Sequence, residues 1–454
     1  MSDAKRQLKP ANENPWYVLM TWYGEQKGEE TDWKLHWKNM KVWNSWACQA
    51  LDDARREELA ERLELNVSHL RDWDDRKADV ERRFEAEWKR RNGGQPCPGI
   101  PDIAAKIDMS EIAFSNAVLL DQAVFASDVC FDHSEFNRRA SFHRAYFQGS
   151  ARFKSASFSK GASFEFVTFC GPAVFRKARF ANGSNFYTST FEQYTYFIEA
   201  TFGSENEEPD ITTSSKNEEI KETSFSFVDC HFQKLISFRK AEFKDTYPIF
   251  DGTIVHDRAI FTAKEKNWPT REQRKPDEAR TSCAAIRHAL NNQGLPEDEH
   301  FFFRKEMHFA GRPQLKADAS ASVKRADWWR RLPFRFFHLV SDYGNSIIRP
   351  LTGLFALWII PALIYMVYFN WVGYFYGGMD DGKGNVIEIG CLDSISLSFA
   401  AMFKFLGLQS VHFGAEYIRA LHWSLELLTA LQTLGGIILL FFLGLGLRTR
   451  FRLR

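Results

Sequence analysis

From Ile103 to Phe202, large apolar residues stand alternately six and five positions apart. The positions reached are Ile103, Met109, Phe114, Leu120, Phe125, Phe131, Phe136, Phe142, Phe147, Phe153, Phe158, Phe164, Phe169, Phe175, Phe180, Phe186, Phe191, Phe197 and Phe202, and 16 of these 19 are Phe. No regular element of one piece satisfies that spacing. On an α-helix a five-residue step turns by roughly 140°, so the two sets of rings would fall on different faces. Gly149, Gly161, Gly171, Pro172 and Gly183 recur inside the run and would weaken a helix further. A straight strand fails because five is odd and strands alternate faces.

A chain that turns a corner every five or six residues does satisfy it. Each short side then points its ring inward, together with the residue two before it. That earlier residue is small or β-branched, as at Ala123, Ala140, Ala145, Ala151, Ala156, Ala162, Ala173, Ala178, Ser184, Ser189, Thr195 and Ala200. Four sides make a coil of 22 residues, and stacked coils rise ~4.8 Å each by strand pairing. Each buried ring contributes roughly 1.5–3 kcal/mol. The stretch RASFHRAYFQGSARFKSASFSKGASF, Arg139 to Phe164, resembles the Phe-centred, eleven-residue variant of the pentapeptide-repeat family. The resemblance implies a right-handed quadrilateral β-helix.

The repeat breaks into a polar, acidic stretch at 203–223 and resumes out of phase at Phe227, Phe232, Phe238 and Phe243. The expected organisation has a Trp-rich and helical N-terminal cap at 1–100, built around Trp16, Trp22, Trp33, Trp37, Trp43 and Trp46. The β-helix follows at 101–264, with 203–223 as a loop insertion. A helical hairpin cap occupies 265–326, because the raw ends of a solenoid invite edge-to-edge pairing. Outward positions carry a basic set, Arg138, Arg139, Arg144, Arg152, Lys154, Lys160, Arg176, Lys177 and Arg179, with Glu165 the one acid in that stretch. Such a basic solenoid face suits anionic lipid or nucleic acid, or simply solvates the surface, and the last is the favoured reading. Some pentapeptide-repeat proteins resemble DNA and bind topoisomerase, but that mimicry needs an acidic face; no nucleic-acid partner is expected.

At the other end of the chain, 350–450 reads as a transmembrane domain. Spans at about 350–373 and 427–447 lack charges and are long enough to cross ~30 Å of hydrocarbon. Lys and Arg crowd both outer flanks, which places both termini and the β-helix in the cytoplasm. The segment 327–349 mixes Trp, Phe and Arg and reads as interfacial. Between the spans, 395–408 is apolar but too short to cross, so it re-enters or lies at the interface. The order span, short helix, span resembles the two-helix pore module of potassium channels. In that alignment the filter string falls on Phe405, Leu406, Gly407, Leu408, Gln409 and Ser410, which with Lys404 form a candidate re-entrant loop, and matches at Gly407 alone. The second glycine of the filter is Gln409 here, so the resemblance does not extend to potassium selectivity.

The second span carries a line of polar and small residues, His422, Glu426, Thr429, Gln432, Thr433 and Gly436. Such a line lines a pore or packs against another helix. Two functions follow: an oligomeric, channel-like pore or membrane effector gated by the cytoplasmic β-helix, or a membrane-anchored interaction scaffold without conductance. No P-loop, GxSxG, HExxH or dinucleotide fingerprint appears, so no enzyme, cofactor or metal is expected. The seven scattered cysteines read as reduced thiols. Expected partners are membrane lipids, further copies of the chain and a cytoplasmic protein, in a bacterial inner membrane.

Overall fold

A strand two residues long is stable only when neighbours above and below complete its hydrogen bonds. The computed structural model of the chain is built largely from such strands. It describes residues 7–28, 30–181, 183–203, 225–256, 258–269, 276–312, 320–376, 379–380, 386–387, 391–409, 413 and 421–451. The chain divides into two units, Met1–Phe309 and Ala310–Arg454.

The first unit is a parallel β-solenoid. Its strands fall into four sheets, and up to Phe202 the strands within a sheet recur every 22 residues. The first sheet pairs Ile107–Asp108, Val129–Cys130, Ala151–Arg152, Ala173–Val174, Thr195–Tyr196 and Ile236–Ser237 in order. The second runs from Ile112–Phe114 to Glu242–Phe243, the third from Val118–Leu119 to Ala162–Ser163, and the fourth from Val124–Phe125 to His231–Phe232.

Four ladders of rings fill the inside. In one of them Phe131, Phe153, Phe175, Phe197, Phe238 and Phe261 stack with centroids 5.0, 5.0, 4.8, 5.1 and 5.3 Å apart and ring planes within 14°. Neighbouring ladders meet edge to face, as at Phe142 and Phe153, 5.7 Å and 88°. Both arrangements suit the quadrupole of the ring. The small residues two before the rings are buried throughout. Ile103, where the stepping begins, precedes the first strand and is only partly buried, so the inward series starts at Met109.

Alternation of five and six has a backbone cause. Every eleventh residue, three before a ring, takes a left-handed conformation: Glu111, Gln122, His133, Arg144, Ser155, Phe166, Lys177, Thr188 and Glu199, then Asp229 and Lys240, with φ between 53° and 63°. The tight left-handed corner closes the five-residue side, and the wider corner closes the six-residue side. The insertion does not disturb this. Thr195 pairs with Ile236 rather than with the residue 22 further on, and Phe202 stacks on Phe243 at 4.7 Å. The phase slip seen in sequence is thus absorbed before Phe225; residues 204–223 of the expected loop lie outside the described residues.

Helices α1 (Pro15–Met20), α2 (Trp33–Ala47), α3 (Asp53–Arg62), α4 (Ser68–Arg71) and α5 (Trp73–Asn92) form the first cap. Asn14 starts α1 by accepting from the Trp16 and Tyr17 amides. On α2, the Trp43 indole N–H donates to the Val124 carbonyl at 2.9 Å. The Asn44 amide accepts from Val124 N–H and donates to Gln122 C=O, each at 2.9 Å. Those are edge groups of the first coil that would otherwise stay open. Lys9–Pro10 adds a strand beside Ile112–Ala113. Of the tryptophans, Trp16, Trp43 and Trp46 are buried, while Trp33 and Trp37 are 48% and 39% exposed and take no part in the core.

The last coil is closed by Trp268, stacked on Phe243 at 5.0 Å, and by α6 (Pro276–Asn292) and α7 (Pro296–Ala310). Gln293 and Asn267 donate to the Ala259 and Ala241 carbonyls. Six cysteines, Cys48, Cys97, Cys130, Cys170, Cys230 and Cys283, are unbonded to one another. Burial pushes the Cys48 and Cys230 thiols up to about 12, so both stay protonated and unreactive at neutral pH.

The described residues of the second unit include α8 (Ala321–Ser341), α9 (Ile348–Tyr376), α10 (Cys391–Met402) and α11 (Trp423–Phe451), with an antiparallel pair of short strands, Met379–Asp380 and Val386–Ile387, between α9 and α10. Helices α9 and α11 are long and apolar enough to cross a membrane. Both begin a little before and end a little after the expected spans. The intervening helix α10 ends at Met402, earlier than the expected 408. A 3₁₀ turn at Lys404–Leu406 follows, stopped by left-handed Gly407.

Candidate functional site

Where α9, α10 and α11 meet, one amide joins all three. Gln432 on α11 accepts from the Tyr365 hydroxyl of α9 at 2.6 Å. Its own NH₂ donates to Ser398 Oγ of α10 at 2.8 Å and to the Leu357 carbonyl of α9 at 3.0 Å. Ser398 Oγ donates in turn to the Trp358 carbonyl at 2.6 Å. Thr433 Oγ1 lies 2.7 Å from the Ala401 carbonyl and 2.9 Å from that of Thr429. Tyr365, Ser398 and Gln432 are at most 1% exposed. In an apolar setting each of these groups needs a partner, because an unpaired one carries the full penalty of desolvation.

Small residues let the backbones approach. A Cβ on Gly436 would stand 2.6 Å from the Met402 carbonyl oxygen, so only glycine lets the end of α10 lie against α11. Gly353 and Gly435 seat Leu439 and Leu357 in the same way across α9 and α11. Around the hub, Tyr365, Phe369, Val372, Leu397, Ala400, Phe413, Leu421 and Leu425 form one buried cluster.

The polar line of the second span therefore divides. Thr429, Gln432, Thr433 and Gly436 face α9 and α10 within the chain. His422 and Glu426 are exposed at the start of α11, where His422 Nδ1 lies 2.8 Å from Ser424 Oγ. Of the candidate re-entrant loop, Lys404, Phe405 and Leu406 are exposed, Gly407 and Leu408 are half-buried, and Ser410 lies outside the described residues. Gln409 is 2% exposed, and neither atom of its side-chain amide has a hydrogen-bond partner among the described residues. Nothing in the sequence singles out Tyr365, Ser398 and Trp358. The available signal was a hydroxyl in each apolar segment, but nothing in a single chain reveals that they share one level.

The nine basic residues of the solenoid do not share one sheet. Arg152 and Arg179 lie on strands of the first and second sheets. Lys154, Arg176 and Lys177 mark the corner between those sheets, and Arg138, Arg139 and Lys160 the next corner. Arg144 occupies a left-handed corner further on. Arg152 pairs with Asp132, Arg144 pairs with Glu64 of the cap, and Lys177 stands 3.6 Å from Glu199.

No family model, curated protein or solved structure matches the chain. The geometry alone describes a β-solenoid protein with two helices of membrane-spanning length.

The hub makes a definite prediction. Q432L removes the acceptor of a buried hydroxyl, and the expected loss is about 1–3 kcal/mol. Y365F costs less. Because the two groups share one bond, the double variant Y365F/Q432L should melt higher than the sum of the single effects implies. Thermal unfolding of the four forms in detergent measures the coupling; strict additivity would mean that the bond contributes nothing.

Proposed function

We propose that the chain is a membrane-embedded effector in which α9, α10 and α11 from several copies surround a pore, while the β-solenoid serves as its cytoplasmic regulatory surface. The observation that carries this reading is the placement of α10. Twelve residues span ~18 Å at 1.5 Å per residue, too little to cross the ~30 Å core of a bilayer. Yet Ala400, Ala401 and Met402 are buried between the two long helices, and Gln432 fastens α10 to both. A half-length helix held between two full-length ones is the arrangement of a pore module. Two long helices cannot enclose a pore alone, so the reading requires a homo-oligomer. The proposal includes membership of the pentapeptide-repeat family, with its right-handed, four-cornered winding, supported by the four sheets and the inward Phe ladders. It also includes a bacterial inner membrane, cytoplasmic termini, a cytoplasmic protein partner and no catalytic role.

One observation favours a membrane-anchored scaffold instead. Thr429, Gln432 and Thr433 spend their hydrogen bonds inside a single chain, leaving only His422 and Glu426 of the polar line open. Subunit number in detergent, followed by ion flux through reconstituted vesicles, separates the two. Oligomers that conduct, with conductance altered by Glu426→Ala or Lys404→Ala, support the pore. A monomer overturns it, and intact oligomers in a silent bilayer leave the scaffold.

A further inference from the structure

Helix α8 carries more exposed apolar surface than a connector between two soluble segments would keep. Trp328, Leu332, Phe336 and Leu339 follow one another at steps of four, four and three, which places them on a single stripe. They are 42%, 38%, 44% and 74% exposed, and Trp329 beside them is 61% exposed. Along one edge of that stripe stand Lys324 and Arg335, eleven residues and so three turns apart, and Arg325 sits at its N-terminal end; all three are exposed. The helix has one acid, Asp327, which is buried and held by Arg330 at 3.0 Å and Arg331 at 2.8 Å. Its charge is thus cancelled from within.

The surroundings of α8 continue the same pattern. The turn after it packs on the end of α11: a Cβ at Gly344 would lie 3.3 Å from Leu445, and one at Gly446 would lie 3.3 Å from the Ser346 carbonyl. Phe336 and Phe337 meet Phe442 of α11 at 6.0 and 5.5 Å. Arg349, at the start of α9, donates to the His338 carbonyl at 2.6 Å. This places Arg349, Arg448 and Arg450 at the same end of the two long helices as α8, all exposed. Exposed cations thus collect at the level where α9 and α11 begin and end, next to an aromatic stripe. The acids of the described residues there are Asp327, already neutralised, and Asp342, which lies 3.3 Å from His338.

We propose that α8 is a binding surface for anionic phospholipids. The stripe Trp328, Leu332, Phe336 and Leu339 enters the boundary between headgroups and acyl chains, and Lys324, Arg325, Arg335, Arg349, Arg448 and Arg450 face lipid phosphates. The occupant is a lipid surface rather than a protein because the apolar stripe and the cations coincide with the ends of two helices of bilayer-spanning length. The inference rests on the reading that α9 and α11 cross the bilayer, and it adds that the adjoining leaflet must be negatively charged. Each Lys or Arg near such a surface favours binding by about fivefold, so three substitutions weaken it by well over tenfold.

Full-length protein is reconstituted into vesicles of phosphatidylcholine alone or mixed with phosphatidylglycerol, in each case with acyl chains brominated near the headgroup. Tryptophan quenching in wild type, minus that in W328F/W329F, isolates the signal of α8. Stronger quenching in the anionic vesicles, lost in K324Q/R325Q/R335Q and lost from wild type at high salt, supports the proposal. Equal quenching in both compositions overturns it. So does an absence of quenching while the protein resists alkaline extraction. Protein stripped from the vesicles by alkaline washing instead overturns the spanning reading itself, which keeps the two failures apart.

Discussion

Phe153→Ala should destabilise the solenoid by about 3–5 kcal/mol, the range for emptying a fully buried aromatic site. Phe153 stacks between Phe131 and Phe175 at 5.0 Å on each side and meets Phe142 and Phe164 edge-on at 5.7 and 5.6 Å. The coils above and below are pinned by strand pairing, so they cannot close over the void. Truncating the outward ring of Phe166, 39% exposed, is the matched control and should change stability by less than about 1 kcal/mol. Thermal and denaturant unfolding followed by circular dichroism compares the two. Similar losses for Phe153→Ala and Phe166→Ala would contradict the ladder as the source of stability. Because each coil touches only its neighbours, the variant should also open locally at mid-array, visible as new hydrogen exchange in the coils flanking residue 153.

Trp43→Ala should have an effect of the same size, about 3–5 kcal/mol, with a different consequence. The indole covers the first Phe of its ladder, Phe125, at 5.7 Å and satisfies the Val124 carbonyl on the open edge of the fourth sheet. Removing it exposes both the end of a Phe stack and an unpaired strand edge, which is a template for association. Self-association in sedimentation should therefore rise together with the fall in melting temperature. Trp37→Ala provides the contrast, since that ring is 39% exposed, stacks on Trp33 at 6.2 Å and meets His36 edge-on at 4.6 Å. An equal tendency of both variants to associate would remove the capping role of α2.

Much of the solenoid was legible because its signal is periodic and its residues unusual. A buried Phe at a five-and-six spacing admits few backbones, and the small residues two before it point the same way. The left-handed corners were not legible. Glycine or asparagine normally marks such a conformation. Here Glu111, Arg144, Phe166 and Thr188 adopt it, held by pairing with adjacent coils, as where the Thr188 amide donates to the Val228 carbonyl. Sequence also showed that the pattern slipped after Phe202 but not that Phe186 and Phe227 would share a stack, which depends on how the coil closes in space. In the second unit, hydropathy located α9 and α11. The hub is not legible in the sequence because Tyr365 and Ser398 are brought to Gln432 only by packing.

The uninterrupted stacking across the insertion has a practical meaning. Phe202 meets Phe225 edge-on at 5.2 Å and stacks on Phe243, one coil further along, at 4.7 Å, so the two ends of the departing segment are held close together. Closing a loop between fixed ends grows more expensive only with the logarithm of its length, about 0.6 kcal/mol for each doubling. The site is therefore a ready-made splice point: a reporter domain whose own termini lie near one another can be grafted between Gly203 and Phe225 while the coils on either side keep their register.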